Sequence, residues 1–252
     1  MCAKKNKHTL IIDQGNTAIK IAVFSAYIQI FYQKLLNESF EDVVLKLLKQ
    51  YNIEYCVIAS VVENAQKRFD FVCKKISKTI FVSNRTPMPF RNDYATPLTL
   101  GVDRLALVAA AVTRYPNTNV LVIDAGTCIT FDLVTKQKVY LGGAIAPGIG
   151  MRLEALHHFT SKLPLIAEQD FDPTHFVGNT TQGCILSGVY HNVICEIEGV
   201  IAQYKAQFKN LTVVLTGGNH LYLAKNIKSR IFAHPFFLFE GLYAILQHQN
   251  KL

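Results

Sequence analysis

The feature that most constrains this chain is a hairpin pattern that occurs twice. "TLIIDQGNTAIKIAVF" at 9 to 24 is an apolar run ending in Asp13, a turn through Gly15, Asn16 and Thr17, and a second apolar run. "NVLVIDAGTCITFDLV" at 119 to 134 repeats the plan around Asp124, Gly126 and Thr127. Glycine and asparagine suit the turn, and β-branched residues on either side suit two antiparallel strands. Backbone geometry alone explains the hairpins but gives no reason for an acid, a threonine and Lys20 to sit so close to buried strands.

The rest of the pattern supports a duplication. After the first hairpin, strands are expected near 27–33, 55–60 and 79–82, with helices near 39–51, 63–77 and 102–115. After the second come a strand at 138–145, helices at 149–158 and 180–207, a strand at 211–218 and a helix at 239–249. The reading is α/β, two copies of a βββαβαβα plan, with domains 1–116 and 117–252. The proline-rich stretch "SNRTPMPFRNDYATPLT" is expected to cross the surface as a loop, and loops of that length are commonly functional.

With 252 residues, half of them hydrophobic and 17% charged, the chain can bury a large core and is not of the disordered class. No apolar segment is expected to reach the roughly 18 residues of a membrane span, and "MCAKKNKHTLIID" lacks a signal-peptide pattern. The expectation is therefore a cytoplasmic protein with no membrane partner. The six cysteines form no CxxC or Cys/His ligand spacing, so buried reduced thiols are expected. A net charge of +8 admits an anionic partner. The basic runs "KKNK" and "CKKISK" lack interleaved aromatics, so no nucleic-acid partner is expected.

Each hairpin turn bares backbone N–H groups where glycine has no side chain, and threonine hydroxyls stand beside them. Such turns hold phosphate oxygens. One carboxylate at the turn, Asp13, suffices to anchor Mg²⁺ bridged to nucleotide phosphates, because this ion keeps several waters. Lys20 is either a point cation for phosphate or a solvent-facing strand residue. "TGG" at 216–218 is either a plain turn or a place where a purine or its ribose approaches the backbone.

The ordered set "DQGNTAIK", "LGVDRLAL", "DAGTCITFD", "GGAIAPG", "GNTTQGCILSG", "TGGN" and "LFEGL" resembles the type III pantothenate kinases of bacteria, with coverage from residue 10 to about 242. The resemblance implies two ribonuclease-H-like domains of the actin-like ATPase superfamily around a central nucleotide cleft. It also implies phosphorylation of the primary hydroxyl of pantothenate by ATP, at the start of coenzyme A synthesis. Two positions depart from the family pattern: Glu63 stands where proline is usual, and Gln14 where small apolar residues are common.

Residue by residue, the resemblance makes Asp13, Gln14, Gly15, Asn16, Thr17, Ala18, Ile19, Lys20 and Thr127 contacts of ATP, with Asp13 at Mg²⁺. Asp124 corresponds to the site of a monovalent cation, K⁺ or NH₄⁺. Tyr94, Gly101, Val102, Asp103, Arg104 and Thr180 correspond to the pantothenate pocket, Asp103 being the general base. A homodimer is implied, with Thr180 reaching the neighbouring subunit's substrate. Each role has a plainer alternative: Asp103 as a residue favoured near a helix start, Arg104 as a surface cation, Tyr94 as a packed ring, Thr180 as an N-cap. A nucleotide-binding regulator on the same fold and a kinase of another hydroxy acid also remain open.

Overall fold

A computed structural model describes residues 7–15, 18–35, 40–60, 62, 65–76, 78–169, 171–174 and 176–250. Asn16, Thr17 and Glu63 lie outside them. The chain forms two compact units, one of residues 1–114 with 237–252 and the other of residues 115–236.

In the first unit, β1 (His8–Gln14), β2 (Ile19–Ser25) and β3 (Ile28–Leu35) form an antiparallel meander, followed by α1 (Phe40–Gln50), β4 (Ile53–Ser60), α2 (Ala65–Lys75) and β5 (Lys78–Phe81). The sheet order is β3-β2-β1-β4-β5, with β4 parallel to β1. Helix α1 buries Phe40, Val44 and Leu47, spaced to lie on one helical face, and carries Glu41 and Asp42 in its first turn and Lys49 in its last. That face closes one core with Leu10, Ile12, Ile19, Ile21, Phe69 and Val72. The proline-rich stretch is mostly irregular, as expected. It contains the two-residue strand β6 (Arg91–Asn92) and a 3₁₀ turn (Pro97–Thr99), and leads into α3 (Val102–Arg114).

Helix α3 is buried from Arg104 through Val112, which its run of alanines and aliphatics permits. Its partner is α7 (Phe237–Gln249), the last helix of the chain. Gly241 lets the two helices approach closely, since any side chain there would run into the backbone of Ala106. Tyr243 of α7 stacks on Phe24 at a centroid distance of 5.4 Å. This packing corrects the expected second domain of 117–252 at its far end: α7 joins the first unit. The periodicity of α7 identified a helix but not which sheet its apolar face would cover.

The second unit repeats the meander in β7 (Val120–Ala125), β8 (Cys128–Val134) and β9 (Val139–Pro147), then adds α4 (Ile149–His158), α5 (Thr181–Gln207), β10 (Thr212–Thr216), α6 (His220–Asn226) and β11 (Phe232–Ala233). Its strands run in the order β11-β10-β7-β8-β9. The short α6 and β11 were not expected from the sequence. Like β1, β7 is a central strand with an antiparallel neighbour on one side and a parallel one on the other. Thus Asp13 and Asp124 occupy equivalent places in two copies of one plan.

Among the described residues α5 is the one helix long and apolar enough to cross a membrane by length and composition, contrary to the expectation that no segment came near. Its apolar stripe, Ile185, Val189, Val193, Ile197 and Ile201, is buried in the core of the second unit. Of the cysteines, Cys56 is buried, whereas Cys184 and Cys195 are exposed on α5, so burial holds for only part of the set.

Candidate active site

Asp13 sits one residue before the end of β1, opposite Lys20 of β2 and Ala59 of β4. It is 8% exposed, and its Oδ2 lies 3.4 Å from Lys20 Nζ. Burial pushes the carboxyl above its ordinary range, Lys20 pulls it back, and the negative charge of Asp103 pushes it up again. The first unit therefore brings Asp13 and Asp103 near enough to sense each other, although they are far apart in sequence. Two mutually repelling carboxylates, one buried, suit a divalent cation, and one carboxylate plus phosphate oxygens is a usual Mg²⁺ donor set.

The turn after Asp13 is closed by Gly15 N–H donating to Ala18 O at 3.1 Å. Gln14, 3% exposed, points to the opposite side of the strand from Asp13, where its Oε1 accepts from Ser60 Oγ at 2.9 Å. Its side chain ties the ends of β1 and β4 together, and Ser60 is a partner the sequence reading missed. Ala18 and Ile19 are 5% and 0% exposed, and Ile19 belongs to the core behind the turn. The Ile19 side chain is thus a packing residue; only the backbone of this segment is available to a nucleotide.

Asp103 lies in the first turn of α3 and is half-buried, with Oδ1 accepting from Arg104 N–H at 2.8 Å. Gly101 has no side chain, and a Cβ there would occupy the space taken by the Asp103 carboxylate. Val102 is 9% exposed at the start of the helix. Arg104 is not the surface cation that its sequence context allows: it is 6% exposed, and its guanidinium carbon stands 5.6 Å from the centre of the Tyr94 ring. Tyr94 is itself held by its N–H donating to Asn92 Oδ1 at 3.0 Å. Among the residues expected for the substrate pocket, Tyr94, Gly101, Asp103 and Arg104 form one patch of the first unit.

In the second unit Asp124 is flanked in the sheet by Thr130 of β8 and Thr216 of β10. Gly217 has φ +94 and passes so close to the carboxylate that any side chain would collide with Asp124 and with the carbonyl of Ala125. The "TGG" turn is therefore a close approach to the acid, and Asn219 N–H fixes it by donating to Ala125 O at 3.0 Å. The Asp124 carboxylate and the Ala125 carbonyl thus border the same turn, and oxygens of these two kinds are what an alkali cation takes. Thr127 is exposed at the tip of the second hairpin.

Beyond that turn, Gly218 and Asn219 line a cavity of about 420 Å³ with Ile149, Glu168, Tyr190 and Leu221. Asn219 Nδ2 donates to Glu168 Oε1 at 2.7 Å. The glycine pair signalled this recess, but nothing in the sequence signalled Glu168. Thr180 caps α5: its Oγ1 accepts from Gly183 N–H at 3.0 Å. The cap leaves its hydroxyl proton available to a ligand.

Comparison with known proteins bears on the family and the fold. The family model described as type III pantothenate kinase matches residues 9–203. A type III pantothenate kinase of Christiangramia forsetii is 43% identical over 242 residues, covering 94% of this chain and 97% of its own length. A Baf family protein from Campylobacter jejuni superposes with a TM-score of 0.61 at 20% identity, covering 96% of this chain and all of its own. A glucokinase of the ROK family from Streptomyces griseus, solved with glucose and AMPPNP, gives 0.52 at 10% identity, over 97% and 100% of the two chains. The two structural likenesses show a shared two-unit α/β fold and no more; the sequence matches go further, and the chain belongs to the type III pantothenate kinase family.

Proposed function

We propose that this chain transfers the γ-phosphoryl group of ATP to the primary hydroxyl of pantothenate, giving 4'-phosphopantothenate and ADP in the first step of coenzyme A biosynthesis. The observation that carries the reading is the pairing, on the first turn of α3, of a half-buried carboxylate with a buried guanidinium steadied by Tyr94. Arg104 grips the single carboxylate of pantothenate in two places, with Tyr94, Gly101 and Val102 beside it. Asp103 accepts the hydroxyl proton as the oxygen bonds to the γ-phosphorus and the bond to the departing ADP oxygen breaks. An ionised carboxylate suffices here, because the proton need move only as the P–O bond forms.

Asp13 anchors Mg²⁺, which when bound neutralises the phosphate oxygens. Lys20 adds a point charge beside the phosphates; Thr127, on the second unit, keeps the nucleotide-contact role that the family resemblance gives it. Within this reading Gln14 acts by holding the strand end and Ala18 and Ile19 act through main chain; Asn16 and Thr17, which the family resemblance assigns to the nucleotide, lie outside the described residues. Asp124 holds a monovalent cation, K⁺ or NH₄⁺.

The enzyme works as a homodimer in the cytoplasm, the compartment that supplies ATP. The second copy seats on the apolar groove of about 670 Å³ between α4 and α5, where Leu156, Phe159, Ile185 and Val189 form the walls. Phe159 is 81% exposed there. Thr181 lines the same groove, which supports assigning its neighbour Thr180 to the other subunit's pantothenate. Product analysis of purified protein with ATP, Mg²⁺ and K⁺ tests the reading; a chain that hydrolyses or binds ATP without phosphorylating pantothenate overturns it.

A further inference from the structure

Thr130 was given no role by its sequence context. It lies on β8 directly opposite Asp124 in the antiparallel ladder with β7, so both side chains rise from one face of the sheet. The neighbour of Asp124 on the other side is Thr216, 3% exposed. The opposite face of the same strands, with Leu121, Ile123, Ile129 and Phe131, is the hydrophobic core, so Thr130 is turned away from that core.

Although the Oγ1 of Thr130 is shut off from solvent, it has no hydrogen-bond partner among the described residues. Burying a hydroxyl without a partner costs about 1–3 kcal/mol, and such groups are rare in folded proteins. A valine would fill nearly the same volume without that cost. The hydroxyl therefore calls for an occupant that supplies what the protein does not, placed within reach of the Asp124 carboxylate. A cation does so: it draws oxygen lone pairs, anionic and neutral, into its shell in place of water.

We propose that Thr130 Oγ1 is an inner oxygen ligand of the monovalent cation held by Asp124, so that the site spans the β7–β8 ladder and is not confined to the acid and the Gly217 turn. The proposal rests on the assignment of that cation to Asp124. A neutral hydroxyl adds a ligand without adding charge, which suits a singly charged ion.

The test compares wild type, Thr130→Val, Thr130→Ser and Asp124→Asn. One readout is the K⁺ concentration giving half-maximal formation of phosphopantothenate. The other is the rise in melting temperature with KCl, measured in the presence of ADP against tetramethylammonium chloride at equal ionic strength. Thr130→Val is expected to fold at least as firmly as wild type without K⁺, and to need roughly tenfold more K⁺ in both readouts, the scale of losing one metal partner. Thr130→Ser restores the wild-type response. If wild type and Asp124→Asn respond to K⁺ alike, the cation assignment itself fails, and this inference with it. If wild type responds, Asp124→Asn does not, and Thr130→Val matches wild type, the cation stays at Asp124 and Thr130 is not its ligand. Should Thr130→Val fail to fold, Thr130→Ala carries the same comparison.

Discussion

The guanidinium of Arg104 stands over the ring of Tyr94, 5.6 Å from its centre, with the arginine almost wholly buried. The ring is attracted to the cation and holds the planar fork in one orientation. Lysine keeps the charge but loses both the fork and the stacking. Arg104→Lys should therefore raise the KM for pantothenate about tenfold or more, with a smaller change in the KM for ATP. Tyr94→Leu should move the same parameter in the same direction by less. Steady-state kinetics check both, and a selective effect on ATP would contradict the carboxylate-gripping role.

Asp103→Asn keeps the shape of the first turn of α3 but cannot take a proton. The expected loss in kcat is about 10²–10⁴-fold, the usual worth of a positioned acid–base group. Nucleotide affinity, measured by calorimetry with a non-hydrolysable ATP analogue, should stay close to wild type. Retention of most of kcat would remove Asp103 as the base.

Asp13 makes a pH prediction. Burial raises its carboxyl above the ordinary aspartate range even with Lys20 alongside. In the window between the unfolded and the folded pKa, the folded protein holds a proton that the unfolded chain has released. Stability therefore falls as pH rises through that window, and the penalty is complete above the folded pKa. In metal-free protein at neutral pH, Asp13→Asn should melt no lower than wild type, since the ion pair it gives up is partly exposed and worth at most about 1 kcal/mol. Mg²⁺-dependent turnover should nevertheless be lost. Thermal melts at pH 7 and pH 5 with parallel assays test both parts; a clearly less stable or fully active variant would count against the account.

Thr180 has a visible structural duty and a proposed binding one. Removing the cap in Thr180→Ala should cost about 1 kcal/mol of stability. If the hydroxyl also meets pantothenate, the KM for pantothenate rises as well, and Thr180→Ser restores both properties. A stability loss with unchanged KM would leave Thr180 as a cap alone.

Much of this was legible in the sequence because the signals were local. The hairpin repeat placed Asp13 and Asp124 at equivalent strand ends, and "LGVDRLAL" marked a helix with an acid near its start. Long-range packing was not legible. Nothing near α7 says that Gly241 will seat against Ala106, nor does β1 say that Gln14 will reach Ser60. Ile19 was grouped with the nucleotide contacts by the family resemblance, which names positions and not side chains, and strand alternation sends its side chain into the core. Arg104 was ambiguous for a related reason: a helix of alanines does not reveal whether its first cation faces water or an aromatic ring ten residues earlier.

The central claim is tested most directly by the product formed when purified protein meets ATP, Mg²⁺, K⁺ and pantothenate within a panel of small hydroxy acids, followed by ³¹P NMR and mass spectrometry. The account predicts 4'-phosphopantothenate and ADP in equal amounts, with pantothenate the preferred acceptor and the signal abolished by Asp103→Asn. Phosphorylation of a different acid in preference to pantothenate, or ADP released with no phosphopantothenate, would contradict it.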